Sequence, residues 1–229
     1  MASEWSGDPL ESPGEHACHW HSVSLKSKRT GGLDYAHCTR PYADQVSAGV
    51  RRHGEWPDCL ALLTLWRSSA KPKEAATSSS SDIFIDAGAN IGSCTLYMAA
   101  HGVPTVAFEP SPANLFYLTR SLAANPQLRR HVTLYPVGLS DAAATFPMYV
   151  ERGNAGNSVL RRPIHANATA AHVVGVVTLD RAMERALHLA SSTSSVEGPP
   201  PWIRLLKVDT QGFELRVLRG ARRLLAAAR

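Results

Sequence analysis

The sequence predicts an α/β domain: a parallel sheet with helices on both of its faces. Three observations predict it. Short apolar runs end in polar residues at Asp86, Glu109 and Asp209, stretches of helical period separate those runs, and a glycine-rich turn follows the first of them. Strands that read as unbroken apolar runs are buried on both sides, as in a sheet whose parallel strands are joined by covering helices.

Residues 1–54 show little periodicity and read as a poorly ordered polar leader. Trp56, Leu60, Leu62, Leu63 and Leu65 place a short helix over 55–67, and the Ser-, Lys- and Pro-rich stretch up to residue 81 reads as a linker. The texture changes at Asp82. Ile83-Phe84-Ile85 is the first strand, closing on Asp86, and Gly88, Asn90 and Gly92 form its exit turn. A helix runs from Ile91 to about His101 and stops at Gly102. Thr105–Phe108 is the second strand, closing on Glu109. Ser111 and Pro112 then start a helix whose Leu115, Leu118 and Leu122 share one face, and Asn125-Pro126 ends it. Val132–Val137 is the third strand, with residues 138–141 as its exit loop. Residues 145–150 are extended, 151–171 are irregular and Val173–Val177 is β-like. Residues 179–189 are helical and 190–201 form a loop. Ile203–Val208 is the fourth strand, closing on Asp209, and a last helix carries Leu215, Leu218 and Leu225 on one side. Two regions follow: an extension and linker over 1–81, and an α/β domain over 82–229.

Composition excludes some classes of function. Of the 229 residues 44% are hydrophobic and 19% charged, enough apolar mass for a sizeable core. A net charge of +5 is mild and dispersed, which argues against a nucleic-acid partner. No apolar run approaches the roughly 18 residues of a membrane span, and the N-terminus lacks the layout of a secretory signal, so a cytoplasmic location is expected. The four cysteines, Cys18, Cys38, Cys59 and Cys94, have no paired spacing and indicate neither a disulfide framework nor a zinc ribbon. His16, Cys18, His19, His21, His37 and Cys38 match no standard zinc pattern, so no metal is expected. The sequon Asn167-Ala-Thr169 matters only in a secreted chain.

The chemistry concentrates at the strand ends, where open parallel sheets bind ligands. Glycines in the turn Asp86-Ala-Gly88-Ala-Asn90-Ile-Gly92 let the backbone approach a ligand that a Cβ would block. A dinucleotide site prefers GxGxxG, with a pyrophosphate at the helix N-terminus. Here the order is GxNxG and an acid precedes it. That carboxylate would repel a pyrophosphate but suits the ammonium group of a methionine moiety, which favours S-adenosylmethionine over a nicotinamide cofactor. Glu109 can accept two hydrogen bonds from a ribose diol. In Asp209-Thr-Gln211-Gly-Phe-Glu214, Asp209 or Glu214 can take a proton from an alcohol during transfer. Glu214 equally stands where it would meet a helix N-terminus. The polar segment 153–158 is either a closing flap or plain loop.

The fragments FIDAGANIG, VAFEPSPANLFYLTRSLAANP, VGLSD, TLD and LLKVDTQGFELRVLRGA, in that order, resemble the FkbM family of class I methyltransferases across about residues 82–229. The resemblance implies a Rossmann-like sheet, S-adenosylmethionine as cofactor and methyl transfer to a hydroxyl of a small molecule or sugar. It places Asp86, Gly88, Asn90 and Gly92 along the methionine and ribose, and Glu109 on the ribose hydroxyls. Leu139, Ser140 and Asp141 would border the adenine, with Asp209 beside the transferring methyl. The family often has an acid where this chain has Gln211. The chain also stops one helix after the fourth strand, so a sheet ordered 3-2-1-4 would keep an exposed apolar edge. That reads as a domain incomplete at its C-terminus, and a binding module without turnover is the alternative function.

Overall fold

The computed structural model describes residues 3–11, 17–25, 31–41, 44–54, 56–69, 82–151, 154–160, 169–184 and 203–227. Four strands, β3 (Ile83–Ala87), β4 (Thr105–Phe108), β5 (Val132–Tyr135) and β10 (Ile203–Val208), make a parallel sheet in the order β10-β3-β4-β5. The direction is the one that the apolar runs predict, and the order is the 3-2-1-4 read with the family resemblance. Strand β10 stands at the edge with all six residues partly exposed, whereas every residue of β3 and β4 is buried.

Alternation along the strands feeds two cores. Phe84, Ala107 and Leu134 point to one face, where they meet α3 (Ser93–Ala100), α4 (Pro112–Ala124) and α5 (Pro126–Arg129). Ile83, Ile85, Val106 and Phe108 point to the other, against Leu179, Ala182 and Met183 of α6 (179–184) and Val217 of α7 (Glu214–Arg219). Helices therefore cover both faces. Ser111 caps α4 by accepting from Asn114 N, and Pro112 fills its first turn.

The described part of the leader is ordered, contrary to expectation. Strands β1 (His19–Val23) and β2 (Tyr35–Thr39) form an antiparallel hairpin, followed by α1 (Gln45–His53) and α2 (Pro57–Ser68). The physical cause lies in α3. Its sequence, SCTLYMAA, has no charged residue, and all eight of its residues are buried. A helix apolar all round needs cover on its outer side as well. Val23, Leu25, Tyr35 and Leu63, from the hairpin and α2, share its core. The expected helix over 55–67 is α2; the linker stretch 70–81 lies outside the described residues.

The cysteine expectation is overturned too. Cys18 is bonded to Cys38 and Cys59 to Cys94, so the first bridge staples the hairpin and the second ties α2 to α3. The pairs are 20 and 35 residues apart and follow no spacing motif. Only the docking of α2 on α3 brings Cys59 to Cys94.

Beyond β5 the chain builds a second, mixed sheet ordered β6-β9-β7-β8, from β6 (Gly138–Leu139), β7 (Ala144–Glu151), β8 (Asn154–Leu160) and β9 (Thr169–Val177). The stretch expected to be irregular thus holds β8, which pairs antiparallel with β7 although its polar sequence shows no alternation. The expected last helix is two helices, α7 and α8 (Arg222–Ala227), broken around Gly220. Leu215, Leu218 and Leu225 are exposed, and Val217 and Ala221 face the core instead. The reason is Gly220: a Cβ there would lie 2.1 Å from Ser140 O, so this side of the turn packs directly on the backbone of the β6 exit.

Candidate functional site

The ends of β3, β4 and β10 converge on one cavity. Gly88, Asn90, Glu109, Leu139 and Asp209, all expected site residues, line it. The sequence did not single out Phe108, Val137, Met148 and Leu160, which supply its apolar wall. The last two come from β7 and β8, so the second sheet completes the pocket.

Gly88 is where the two strand-end loops touch. Its φ is +86° and a Cβ would sit 1.9 Å from Asp209 O, so only glycine fits. Asn90 is left-handed as well, with φ 54°, a conformation asparagine tolerates. Its backbone N donates to Glu109 Oε2 at 2.8 Å. Glu109 Oε1 accepts from Ser111 N at 2.8 Å and from Asn114 Nδ2 at 3.0 Å. Three donors thus converge on a carboxylate that is 4% exposed. Burial pushes its pKa up, against the pull of those donors and of Arg40.

Asp86 is fully buried behind Gly88 and is not among the residues lining the cavity. Its Oδ2 accepts from Thr95 Oγ1 at 2.7 Å and its Oδ1 from Lys207 Nζ at 2.9 Å. Lys207 also donates to Gly88 O at 3.0 Å and lies 3.9 Å from Asp209 Oδ2. Burial alone would lower the lysine's pKa, but Asp86, Asp209 and Glu109 outweigh it and hold it raised, so Lys207 is an ammonium. The sequence held one signal for it: a second charge, after Arg204, within the strand IRLLKV, two residues before Asp209 and opposite Asp86 in register.

Asp209 is the open acid of the cavity, its side chain 55% exposed. Gln211 Nε2 donates to Asp209 Oδ1 at 2.8 Å. An ionised acid at position 211 could not make that bond, so the departure from the family pattern has a local use. Glu214 does not line the cavity. Its carboxylate accepts from Thr210 N at 2.9 Å and from Gly212 N at 2.9 Å. Burial opposes its ionisation, but the backbone donors prevail and its pKa is lowered. Glu214 therefore ties the loop after β10 to the start of α7.

Three further expected residues support the walls from behind. Gly92 packs on α4, since a Cβ there would meet Leu118 Cδ1 at 2.4 Å. Ser140 is fully buried, with Ser140 N donating to Val177 O at 2.9 Å. Asp141 pairs with Arg216 at 3.1 Å. No group of His, Cys, Asp and Glu among the described residues could hold a metal ion, and none of their helices is long and apolar enough to cross a membrane.

Together, fold and cavity define the class: a Rossmann-like α/β domain with its ligand pocket at the carboxyl ends of parallel strands. The methyltransferase FkbM domain matches residues 86–229, and the chain belongs to that family. It is similar to the methyltransferase sdnD of Sordaria araneosa, 34% identical over 160 residues, which cover 62% of this chain and 61% of that protein. A crystal structure of the methyltransferase FkbM from Methylobacillus flagellatus KT aligns at 17% identity and a TM-score of 0.39, over 81% of this chain and 42% of that one. The chain thus spans about three fifths of the curated relative it matches.

Proposed function

We propose that the cavity binds S-adenosylmethionine and that the chain transfers the methyl group to a hydroxyl of a small molecule or sugar. One observation carries the reading: a buried carboxylate, Glu109, held by three donors on the cavity wall between a glycine turn and an apolar slot. Three of its roughly four acceptor positions are taken, and the one left on Oε2 suits a ribose hydroxyl. Phe108, Val137 and Leu139 suit the faces of an adenine. The loop from Gly88 to Asn90 brings backbone close to where a methionine chain would lie. Asp86 serves this site at one remove, by fixing Lys207 and through it the Gly88 carbonyl.

When bound, S-adenosylmethionine supplies an electrophilic methyl group on a sulfonium. The residues supply alignment and a proton acceptor. Asp209, 3.9 Å from Lys207 and turned by Gln211, would take the proton of the acceptor hydroxyl on methyl transfer. Its negative charge also suits the positive sulfonium side of the cavity.

Calorimetric titration with S-adenosylmethionine, S-adenosylhomocysteine and NAD tests the reading. The two adenosyl ligands bind and NAD does not. Glu109→Ala weakens them at least tenfold, about 1.4 kcal/mol. Equal binding by wild type and variant would remove the ribose assignment. A labelled-methyl screen over sugars and small alcohols separates a turning-over enzyme from a binding module.

The bridges also support a reading of the location. Four cysteines paired in two disulfides fit an oxidising compartment better than the cytoplasm that the leader suggests.

A further inference from the structure

Residues before Asp86, outside the family match, send a cation into the core beside the cavity. Arg40, just after β2, is fully buried. Its Nη2 donates to Asn114 Oδ1, its Nη1 lies 3.5 Å from Asp44 Oδ1, and its guanidinium stands 5.2 Å from the Tyr117 ring centre. Its Nε has no hydrogen-bond partner among the described residues. Burying a cation this sparsely satisfied is costly, and an apolar side chain would fill the space more cheaply. Packing alone does not account for an arginine here.

The geometry of Asn114 does. An arginine can only donate, so it must face the amide oxygen. That turns the Asn114 Nδ2 the other way, where it donates to Glu109 Oε1 at 3.0 Å. An ionised carboxylate can only accept. The relay Arg40–Asn114–Glu109 therefore has a single orientation, with Arg40 setting the sense of the middle amide. The remaining oxygen, Glu109 Oε2, is aligned by Asn90 N. Arg40 is in turn held from the leader: its N donates to Ser47 Oγ at 3.1 Å and its O accepts from Arg51 Nη1 at 2.6 Å.

We infer that Arg40 is a positioning residue for cofactor binding: from the leader, and through Asn114, it fixes the orientation in which the free acceptor position of Glu109 meets a ribose hydroxyl. The inference rests on the ribose role proposed above for Glu109. It makes the leader part of the binding machinery rather than a cover for α3 alone.

A double-mutant cycle on the full chain tests it, read by titration with S-adenosylhomocysteine. Arg40→Lys keeps a buried cation but loses the planar fork, and Asn114→Ala cuts the relay while leaving Arg40 in place. Each weakens binding at least tenfold with a cooperative melt retained. In a Glu109→Ala background, Arg40→Lys weakens binding by less than twofold more. Full additivity in that background, or wild-type affinity in Arg40→Lys beside a loss in Glu109→Ala, would overturn the relay alone. Wild-type affinity in Glu109→Ala would overturn the ribose role and the relay with it. Failure of both Arg40→Lys and Asn114→Ala to fold would make Arg40 a core residue and also overturn the inference.

Discussion

Lys207 Nζ lies 2.9 Å from Asp86 Oδ1, across the register of two parallel strands whose partners are 121 residues apart in the chain. The pair sits directly beneath the cavity floor, with the ammonium also bonded to Gly88 O. Removing one partner strands the other charge in a low-dielectric interior. Lys207→Met and Asp86→Asn should each destabilise the fold by about 3–5 kcal/mol in urea unfolding. The double variant should lose much less than the sum. A sum of the two single effects would mean that the charges act independently.

Ligand binding should fail on acidification. Protonation turns one Glu109 oxygen into a donor and removes its last free acceptor position, and burial holds its pKa above the usual 4.5, with Arg40 and Lys207 the cations that pull it back. Affinity for S-adenosylhomocysteine should therefore be flat near neutrality and fall as pH drops toward that raised pKa. Glu109→Gln should bind weakly at every pH and show no acid limb. Fluorescence or calorimetric titration across pH 5–8 reads both.

His37 gives the fold its own acid sensitivity. It is fully buried, its Nε2 lies 3.1 Å from Ile91 O, and burial lowers its pKa from 6.5 to about 4. The unfolded chain takes up this proton before the folded one does. Stability is thus complete above pH 6.5 and lost progressively as pH falls toward 4, by roughly 3 kcal/mol in all. Urea midpoints at pH 7.5, 6 and 5 measure it, and His37→Gln should flatten the slope.

Each disulfide closes a loop of 20 or 35 residues, which on the chain-entropy account stabilises by about 3–4 kcal/mol. Native protein should offer no thiol to alkylation until reduced, and then four. Reductant should lower the melting temperature by several degrees, and Cys59→Ala/Cys94→Ala should do so without reductant. Four reactive thiols in unreduced protein would disprove the bridges.

The parallel sheet was legible because its signals are local. An apolar run closing on an acid needs only five or six neighbouring residues to be seen, and three such runs, with the apolar run 132–137, mark the strands of the sheet. Glu109 and Asp209 were legible for the same reason, as polar residues at strand ends. What escaped depends on partners distant in sequence. Lys207 looks like an ordinary charge until β10 aligns beside β3, and Asp86 looks ligand-facing until Lys207 and Thr95 take both of its oxygens. The exposed Leu215 and Leu218 share a helical stripe, yet the close approach of Gly220 to Ser140 turns the other stripe inward.

By itself the sequence determined the strand–turn–helix alternation, the glycine turn and the carboxylates at its rim, because backbone preference and apolar period act over a few residues. Tertiary packing alone decided that the leader would fold, which cysteines would pair, that a polar stretch would become β8, and that Arg40 would stand beside Glu109. The physical reason is burial. An uncharged helix such as α3 creates a demand for cover, but only the assembled core selects the segment that meets it and the side chains thereby brought together.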